Sequence, residues 1–503
     1  MKKFILYTSI VATAFSAVSC KKVLDINDNP NASTSVSKDN LLAGSLLTTA
    51  RLETTTINEL GNFWGGYWGK AYDVSGTTTG ASGATIDLIA NYTIIDNFAT
   101  DIWEKSYVNI YNYTLLDQQS AGVAPFYSGI AKIVKGLHFL QLVDHYNNIP
   151  FSQASNPANT RPAYDKGEDA YIGAVNLISD GILDIKSATG SAIPSTSDIF
   201  FKGDPASWIK FGNTIKLRAL LRQSQLSAKS SYITTELAKI KAEGSGFVIA
   251  DVLASPGFTT QADNQQNPFY TAYFRNTQGV VSGMFNAVRP TRFLLSKYDA
   301  VNDPRKALIF AEATSGGGYK GVVLGQNAAD ATQNATVTSA FRGPGTGVIK
   351  TATSGALVFS LAESLFLQAE AAQRGWIDGA AKDYYENGIK ASFNYIGVPA
   401  TAFAAYNVQA GVAFNDATAT DKVERIIGQK WLALNSIGGA EAWNDFRRLG
   451  LPAGMPGSVA ASATGTVYPK RLRYPSSEVS TNGAEVSRQG NIDGLVNKVF
   501  WQQ

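Results

Sequence analysis

Metal, nucleophilic and thiol chemistry have little to work with in this chain: its 503 residues contain two histidines, His138 and His145, and one cysteine, Cys20. The histidines stand seven apart on one expected helix, on the same face but roughly 10 Å apart along its axis, too far to share a metal unaided. Any Ser-His-Asp or Cys-His device would have to use one of them, and both read as structural or surface residues. The sequence has no Gly-x-Ser-x-Gly nucleophile elbow and no Walker-type phosphate loop. Carboxylates are plentiful, so a glycosidase pair, which is defined in space, stays open. Glu363 and Glu370 nevertheless fall on one helical face, and Glu441, Asp445 and Arg448 are spaced for pairing on a helix surface. The residues suggest no catalytic site, no metal site and no cofactor.

Aromatic residues offer a different chemistry. Trp103, Trp208, Trp376, Trp431 and Trp443 fall on or beside expected helices, where packing is their ordinary role. Trp64 and Trp68 instead stand in Phe63-Trp64-Gly65-Gly66-Tyr67-Trp68-Gly69-Lys70-Ala71-Tyr72, a segment broken by three glycines. Flat rings suit the CH-rich face of a sugar, while hydroxyl and amide groups meet its rim. Trp64, Trp68 and Tyr72 are therefore the leading stacking candidates. Tyr273 and Arg275, in Phe269-Tyr270-Thr271-Ala272-Tyr273-Phe274-Arg275-Asn276, are weaker helpers. Their action would be capture without covalent change.

Composition narrows the classes further. One cysteine excludes an internal disulfide and a cysteine-based zinc cluster. With 45% hydrophobic and 17% charged residues the chain should fold. Its formal charge of +3, which falls to +1 if Lys2 and Lys3 are removed, recruits no nucleic acid. Those lysines open a secretory leader: the basic start is followed by an apolar run from Phe4 to Phe15 and by Ser16-Ala17-Val18-Ser19-Cys20. The ending resembles a bacterial lipobox, which implies a leader over 1–19, lipid attachment at Cys20 and a polar tether over 20–38. Acyl chains would supply the membrane affinity, since no later stretch approaches eighteen apolar residues.

The elements that must position these residues are mostly helices. Tyr171, Val175, Ile178, Ile182 and Ile185 step by four and three, which places them on one helical face. Similar spacing predicts helices over about 97–119, 126–147, 167–187, 205–226, 361–374, 380–396, 420–437 and 440–449. Taken in adjacent couples they make about four helical hairpins. Between the second and third couples lies a loop-rich excursion of about 230–360, expected to carry short strands or a binding region. The body, 39–503, reads as one domain.

The order of motifs resembles the SusD/RagB family of outer-membrane lipoproteins, in particular its SusD-like branch. The residues that carry the likeness are the lipobox at Cys20, Leu24-Asp25-Ile26-Asn27-Asp28-Asn29-Pro30-Asn31, Asp144-His145-Tyr146-Asn147-Asn148-Ile149-Pro150-Phe151 and Asp303-Pro304-Arg305. Further on come Glu363-Ser364-Leu365-Phe366-Leu367-Gln368-Ala369-Glu370-Ala371, Gln429-Lys430-Trp431-Leu432-Ala433-Leu434 and Glu441-Ala442-Trp443-Asn444-Asp445-Phe446-Arg447-Arg448. The resemblance implies a mainly α, tetratricopeptide-like scaffold of helix pairs with a variable loop-rich insertion. It also implies a non-enzymatic surface protein that binds glycans, or in some members peptides, and delivers them to a SusC-like TonB-dependent transporter. A surface glycoside hydrolase is the remaining alternative. The C-terminal motif, with Trp443 and Arg447, is expected to be structural.

Overall fold

The computed structural model describes residues 36–188, 193–326, 329–416, 419–462 and 464–502; the leader, Cys20 and most of the tether lie outside the described residues. Ten helices build the scaffold. The first is α1 (Lys38–Arg51), where Ser37 accepts a hydrogen bond from the Asn40 amide and opens the helix. A π-helical turn, Leu52–Thr56, joins it to α2 (Ile57–Trp64). Then follow α3 (Thr100–Ser120), α4 (Pro125–Tyr146), α5 (Gly167–Ser187) and α6 (Pro205–Arg222). Proline at the first position starts α4 and α6, where its missing N–H costs nothing. After the loop-rich excursion come α7 (Leu361–Gln373), α8 (Ala381–Ile396), α9 (Ala419–Leu434) and α10 (Gly439–Leu449).

The fold is mainly helical, and the eight expected helices are all present. The counted apolar face of α5 is buried throughout, from Tyr171 to Ile185. The pairing differs in detail. Helix α5 lies closer to α4 than to α6, because glycines bring the two backbones together. A Cβ added at Gly129 would stand 2.6 Å from the Gly181 carbonyl oxygen, and one at Gly136 would stand 2.9 Å from the Ala174 oxygen. Likewise α10 packs chiefly on α2 and only lightly on α9. There a Cβ at Gly61 would fall 2.1 Å from the Ala440 nitrogen. The side chains of Asn58 and Asn62 seal this junction: Gly439 N–H donates to Asn58 Oδ1 (2.8 Å) and Ser436 N–H to Asn62 Oδ1 (3.0 Å).

From outside the excursion, β1 (Trp68–Lys70) pairs antiparallel with its β3 (Val288–Pro290), while within it β2 (Val252–Ala254) pairs antiparallel with β4 (Ala356–Phe359). The excursion also holds a helix, Ser230–Glu243, that periodicity did not announce. One hydrophobic cluster runs from Leu42 to Tyr474 and takes in both the scaffold and the excursion. Among the described residues no helix is long and apolar enough to cross a membrane.

Candidate functional site

Three of the expected ligand-facing rings are inside the protein. Trp64 and Trp68 are 1% and 0% exposed, and Tyr273 is 0% exposed. Trp64 ends α2, stacks on Phe98 at 5.7 Å, takes the edge of Trp443 at 4.9 Å and donates its indole N–H to the Ile89 carbonyl. Trp68 meets Phe63, Tyr273 and Phe341 and donates to Ser436 Oγ at 3.0 Å. The physical reason is the glycines themselves. Rather than loosening a surface loop, Gly61 lets α10 close over α2, and Gly66, at φ +86°, turns the chain sharply into β1. Tyr72, just beyond β1, is half-buried, and Arg275 is exposed.

The helix Pro268–Tyr273 explains how the excursion divides its rings. Asn267 caps it by accepting from the Tyr270 amide, while its own amide group donates to the Ser354 and Gly355 carbonyls. At helical spacing Phe269 and Tyr273 share one face and Tyr270 and Phe274 the next. The first pair points inward, with centroids 4.7 Å apart. The second pair is half-buried, with centroids 5.3 Å apart, and Phe285 continues it at 5.2 Å from Phe274. The three rings meet edge to face, at interplanar angles of 71° and 76°, and so make a stepped, half-buried platform rather than a flat one. Arg275 rests its guanidinium 5.0 Å from the Phe274 centroid, held at the base of a turn bridged between Arg275 and Val281. The segment leading into Tyr72 joins the same neighbourhood through Ala71, whose N–H donates to the Ala287 carbonyl (2.9 Å). Arg275 is thus the sequence candidate at this surface, with Tyr72 one residue beyond the Ala71–Ala287 link; Tyr270 and Phe274 lie in the segment quoted for Tyr273 and Arg275 but were not singled out, and Phe285 lies outside it.

Buried charge fixes the platform from behind. Glu59, on α2, accepts from Tyr273 Oη (3.1 Å), from the Ala81 and Ser82 amides (2.9 and 3.1 Å) and from Ser82 Oγ (2.7 Å). One carboxylate therefore fastens the loop after Tyr72 to the platform helix, although burial pushes its pKa upward against those donors. Arg289, on β3, donates to the Val288 carbonyl (2.8 Å) and Thr338 Oγ1 (3.2 Å), which ties the strand below Phe285 to the neighbouring loop.

The groups singled out for chemistry are engaged in the core. His138 and His145 are buried, and desolvation pushes their pKa values down to about 3 and about 4, so both are neutral. His138 Nε2 meets Thr49 Oγ1 (2.9 Å) and Asn109 Nδ2 (3.2 Å). Glu363, Glu370, Glu441, Asp445 and Arg448 are not on helix surfaces, as their spacing suggested, but buried in ion pairs between helices. Arg448 bridges Glu370 (2.6 Å) and Asp445 (2.8 Å), Arg222 holds Glu441 (2.7 Å), and Arg218 reaches Glu363 (3.3 Å). Arg305 and Asp303 pair at 2.6 Å, both fully buried. Arg447 lies 3.5 Å over the Trp443 ring and donates to the Asp144 carbonyl, which joins two motifs distant in sequence. Each of these arrangements supports the scaffold.

The sequence profile of a family described as starch-binding and associating with the outer membrane matches residues 30–475. The chain belongs to the SusD-like family. Solved structures with this fold include a chitin-binding SusD homolog from Flavobacterium johnsoniae, with 24% identity, a TM-score of 0.71 and coverage of 92% of this chain and 98% of that one. A SusD homolog from Bacteroides fragilis has 22% identity and a TM-score of 0.74, covering 93% of this chain and 100% of that one. A SusD-like protein from Bacteroides thetaiotaomicron has 24% identity and a TM-score of 0.71 over 93% of this chain and 99% of that one. At these identities the likeness is one of fold. No curated protein matches the chain. As in these SusD-like relatives, the helical scaffold spans nearly the whole chain.

Proposed function

We propose that this SusD-like protein is a cell-surface glycan-binding lipoprotein, anchored to the outer membrane through Cys20, that captures oligosaccharide and passes it to a SusC-like TonB-dependent transporter. The observation that carries the reading is the half-buried triad of Tyr270 on a capped helix, Phe274 just past its end and Phe285 on the short helix Gly283–Ala287. Sugar faces would lie on these rings, with Arg275 and Tyr72 meeting hydroxyls at the rim. The reaction chemistry is binding alone. A glycosidase would need two carboxyl groups flanking one open site, whereas Glu363, Glu370 and Glu441 are buried against arginines. Family membership and the chitin-binding relative support a neutral polysaccharide as the ligand class.

Binding of purified protein to chito- and malto-oligosaccharides, measured by calorimetry, tests this. Affinity should fall about fivefold for Tyr270→Ala or Phe274→Ala, the loss of one stacked ring at about 1 kcal/mol. Unchanged affinity in both variants would remove the platform from the site. Co-purification of a β-barrel transporter from native membranes tests the delivery step.

A further inference from the structure

A cleft of about 380 Å³ that shares no residue with the ring platform opens between α9, the helix Arg292–Ala300 and the turn at Pro452 and Ala453. Its volume falls in the range of small-molecule sites, roughly 300–1,000 Å³. Val301, Leu432 and Pro452 supply an apolar wall, and Lys297, Arg425 and Gln429 supply donors. Arg425 Nη1 is buried with no hydrogen-bond partner. Lys297 Nζ sits 4.9 Å over the Phe293 ring and 3.5 Å from the Ala453 carbonyl, too long a contact to satisfy an ammonium. Gln429 accepts from Arg305 Nη2 (3.2 Å) and Tyr406 Oη (3.1 Å) through its carbonyl oxygen, which leaves the amide nitrogen as the group it can offer.

Gly428 adds an independent observation. It lies inside α9, where glycine costs about 1 kcal/mol relative to alanine. Neither backbone nor packing requires it: its φ is not in the left-handed region, and a Cβ built there meets nothing within 4 Å. The helix therefore gives up propensity to keep open space in a concave, donor-bearing cleft. Exposed faces show such open glycines too, but this one lines the cleft.

We propose that the cleft is a second ligand site, for a small carboxylate on an apolar body, such as an N-acylated amino acid. The carboxylate would take the Arg425 guanidinium, whose unpartnered Nη1 must turn outward to meet it, and Lys297 Nζ, the acyl oxygen would accept from the Gln429 amide, and the apolar body would cover Val301, Leu432 and Pro452. A hydroxyl-rich ring fits less well, because its hydroxyls would face those three side chains without partners. Glu424, at the edge of the cleft, lowers its net charge and disfavours dianions.

The test is saturation-transfer NMR on the purified protein with N-acetyl-leucine, with N-acetyl-leucinamide and glucuronate as the other probes. N-acetyl-leucine should bind with a millimolar dissociation constant and the other two at least tenfold more weakly. Arg425→Gln should weaken N-acetyl-leucine at least tenfold, and Gly428→Met, which fills the cleft, should abolish it. Unchanged oligosaccharide binding in both variants checks that the protein is folded, and Arg425→Gln carries the test alone if Gly428→Met fails to fold. Equal binding of the amide or of glucuronate, or N-acetyl-leucine binding that survives Arg425→Gln, would overturn the proposal. Since Phe274→Ala should leave N-acetyl-leucine unaffected, failure of this site and failure of the platform are read separately.

Discussion

Replacing Trp68 separates a ring that holds the fold from one that holds a ligand. Trp68→Ala removes a fully buried indole, its edge contacts with Phe63, Tyr273 and Phe341 at 5.0–5.9 Å, and its hydrogen bond to Ser436. Truncating a core tryptophan costs about 3–5 kcal/mol, of which the hydrogen bond supplies roughly 1. That is a large share of the 5–15 kcal/mol typical of a folded protein. In urea, with a slope steeper than the roughly 1–3 kcal/mol/M of small proteins, the midpoint should fall by about 1 M. Trp68→Phe keeps a ring and loses only the N–H and some volume, so its midpoint should lie between the two. Far-UV circular dichroism gives the midpoints and calorimetry the oligosaccharide affinity of the same preparations. The reasoning fails if Trp68→Ala keeps the wild-type midpoint while losing ligand, for the indole would then belong to the binding surface. Phe274→Ala is the converse case, with a midpoint near wild type and a weakened ligand.

Glu59→Gln places an amide NH2 against N–H donors at Ala81 and Ser82; it should weaken oligosaccharide binding severalfold although Glu59 touches no ligand, and Tyr273→Phe should do so less, both checked by calorimetry. Gly181→Ala would set a methyl 2.6 Å from the Gly129 carbonyl oxygen, so the urea midpoint should drop by an amount equivalent to about 1–3 kcal/mol. Stability should also fall with acid in two stages. His138 and His145 are depressed from their ordinary 6.5, so the stability they contribute is full above that pH and is lost towards about 3 and about 4, respectively. Glu370 is buried, and burial alone would raise it; Arg448 and Arg374 instead hold it down to about 2 from 4.5, so its share is lost between those values. Urea midpoints against pH should show both stages, and Glu370→Gln should lower the midpoint at pH 7 and flatten the second.

The scaffold was legible because its helices repeat apolar residues against polar ones, as α5 does from Tyr171 to Ile185. Partner choice was not, because the closest contacts are made by Gly129, Gly136, Gly181, Gly61 and Gly439, which carry no side chain to count. The same blindness misplaced Trp64 and Trp68: glycines that break a pattern read as a loop, yet here Gly65 lies against α10 and Gly66 and Gly69 make room for the Met455 and Val322 side chains. At the platform the difficulty was phase. Phe269-Tyr270-Thr271-Ala272-Tyr273-Phe274 has rings on adjacent positions, so inward and outward faces have the same composition. Only the i, i+4 pairing, Phe269 with Tyr273 and Tyr270 with Phe274, could have suggested two faces, and which one is buried depends on Trp68 and Glu59. The carboxylates were readable as ion pairs but not as core residues, since their arginine partners come from helices as far apart as Arg222 and Glu441.

The junction of Asn58 and Asn62 with Ser436 and Gly439 also orders events in time. A chain made from its N-terminus presents Trp64, Tyr67 and Trp68 early, but Trp431, which covers Tyr67, Ser436, which takes the Trp68 N–H, and the helix over Trp64, which begins at Gly439, all come late in the 503 residues. Until that late segment emerges, the most aromatic stretch of the protein has no lid, and closing so long a loop is slow. A chain cut short before α10 would therefore be prone to stick to its neighbours rather than simply lack a helix. The final eighth or so of the sequence acts as the closing latch of a core whose other half was synthesised first.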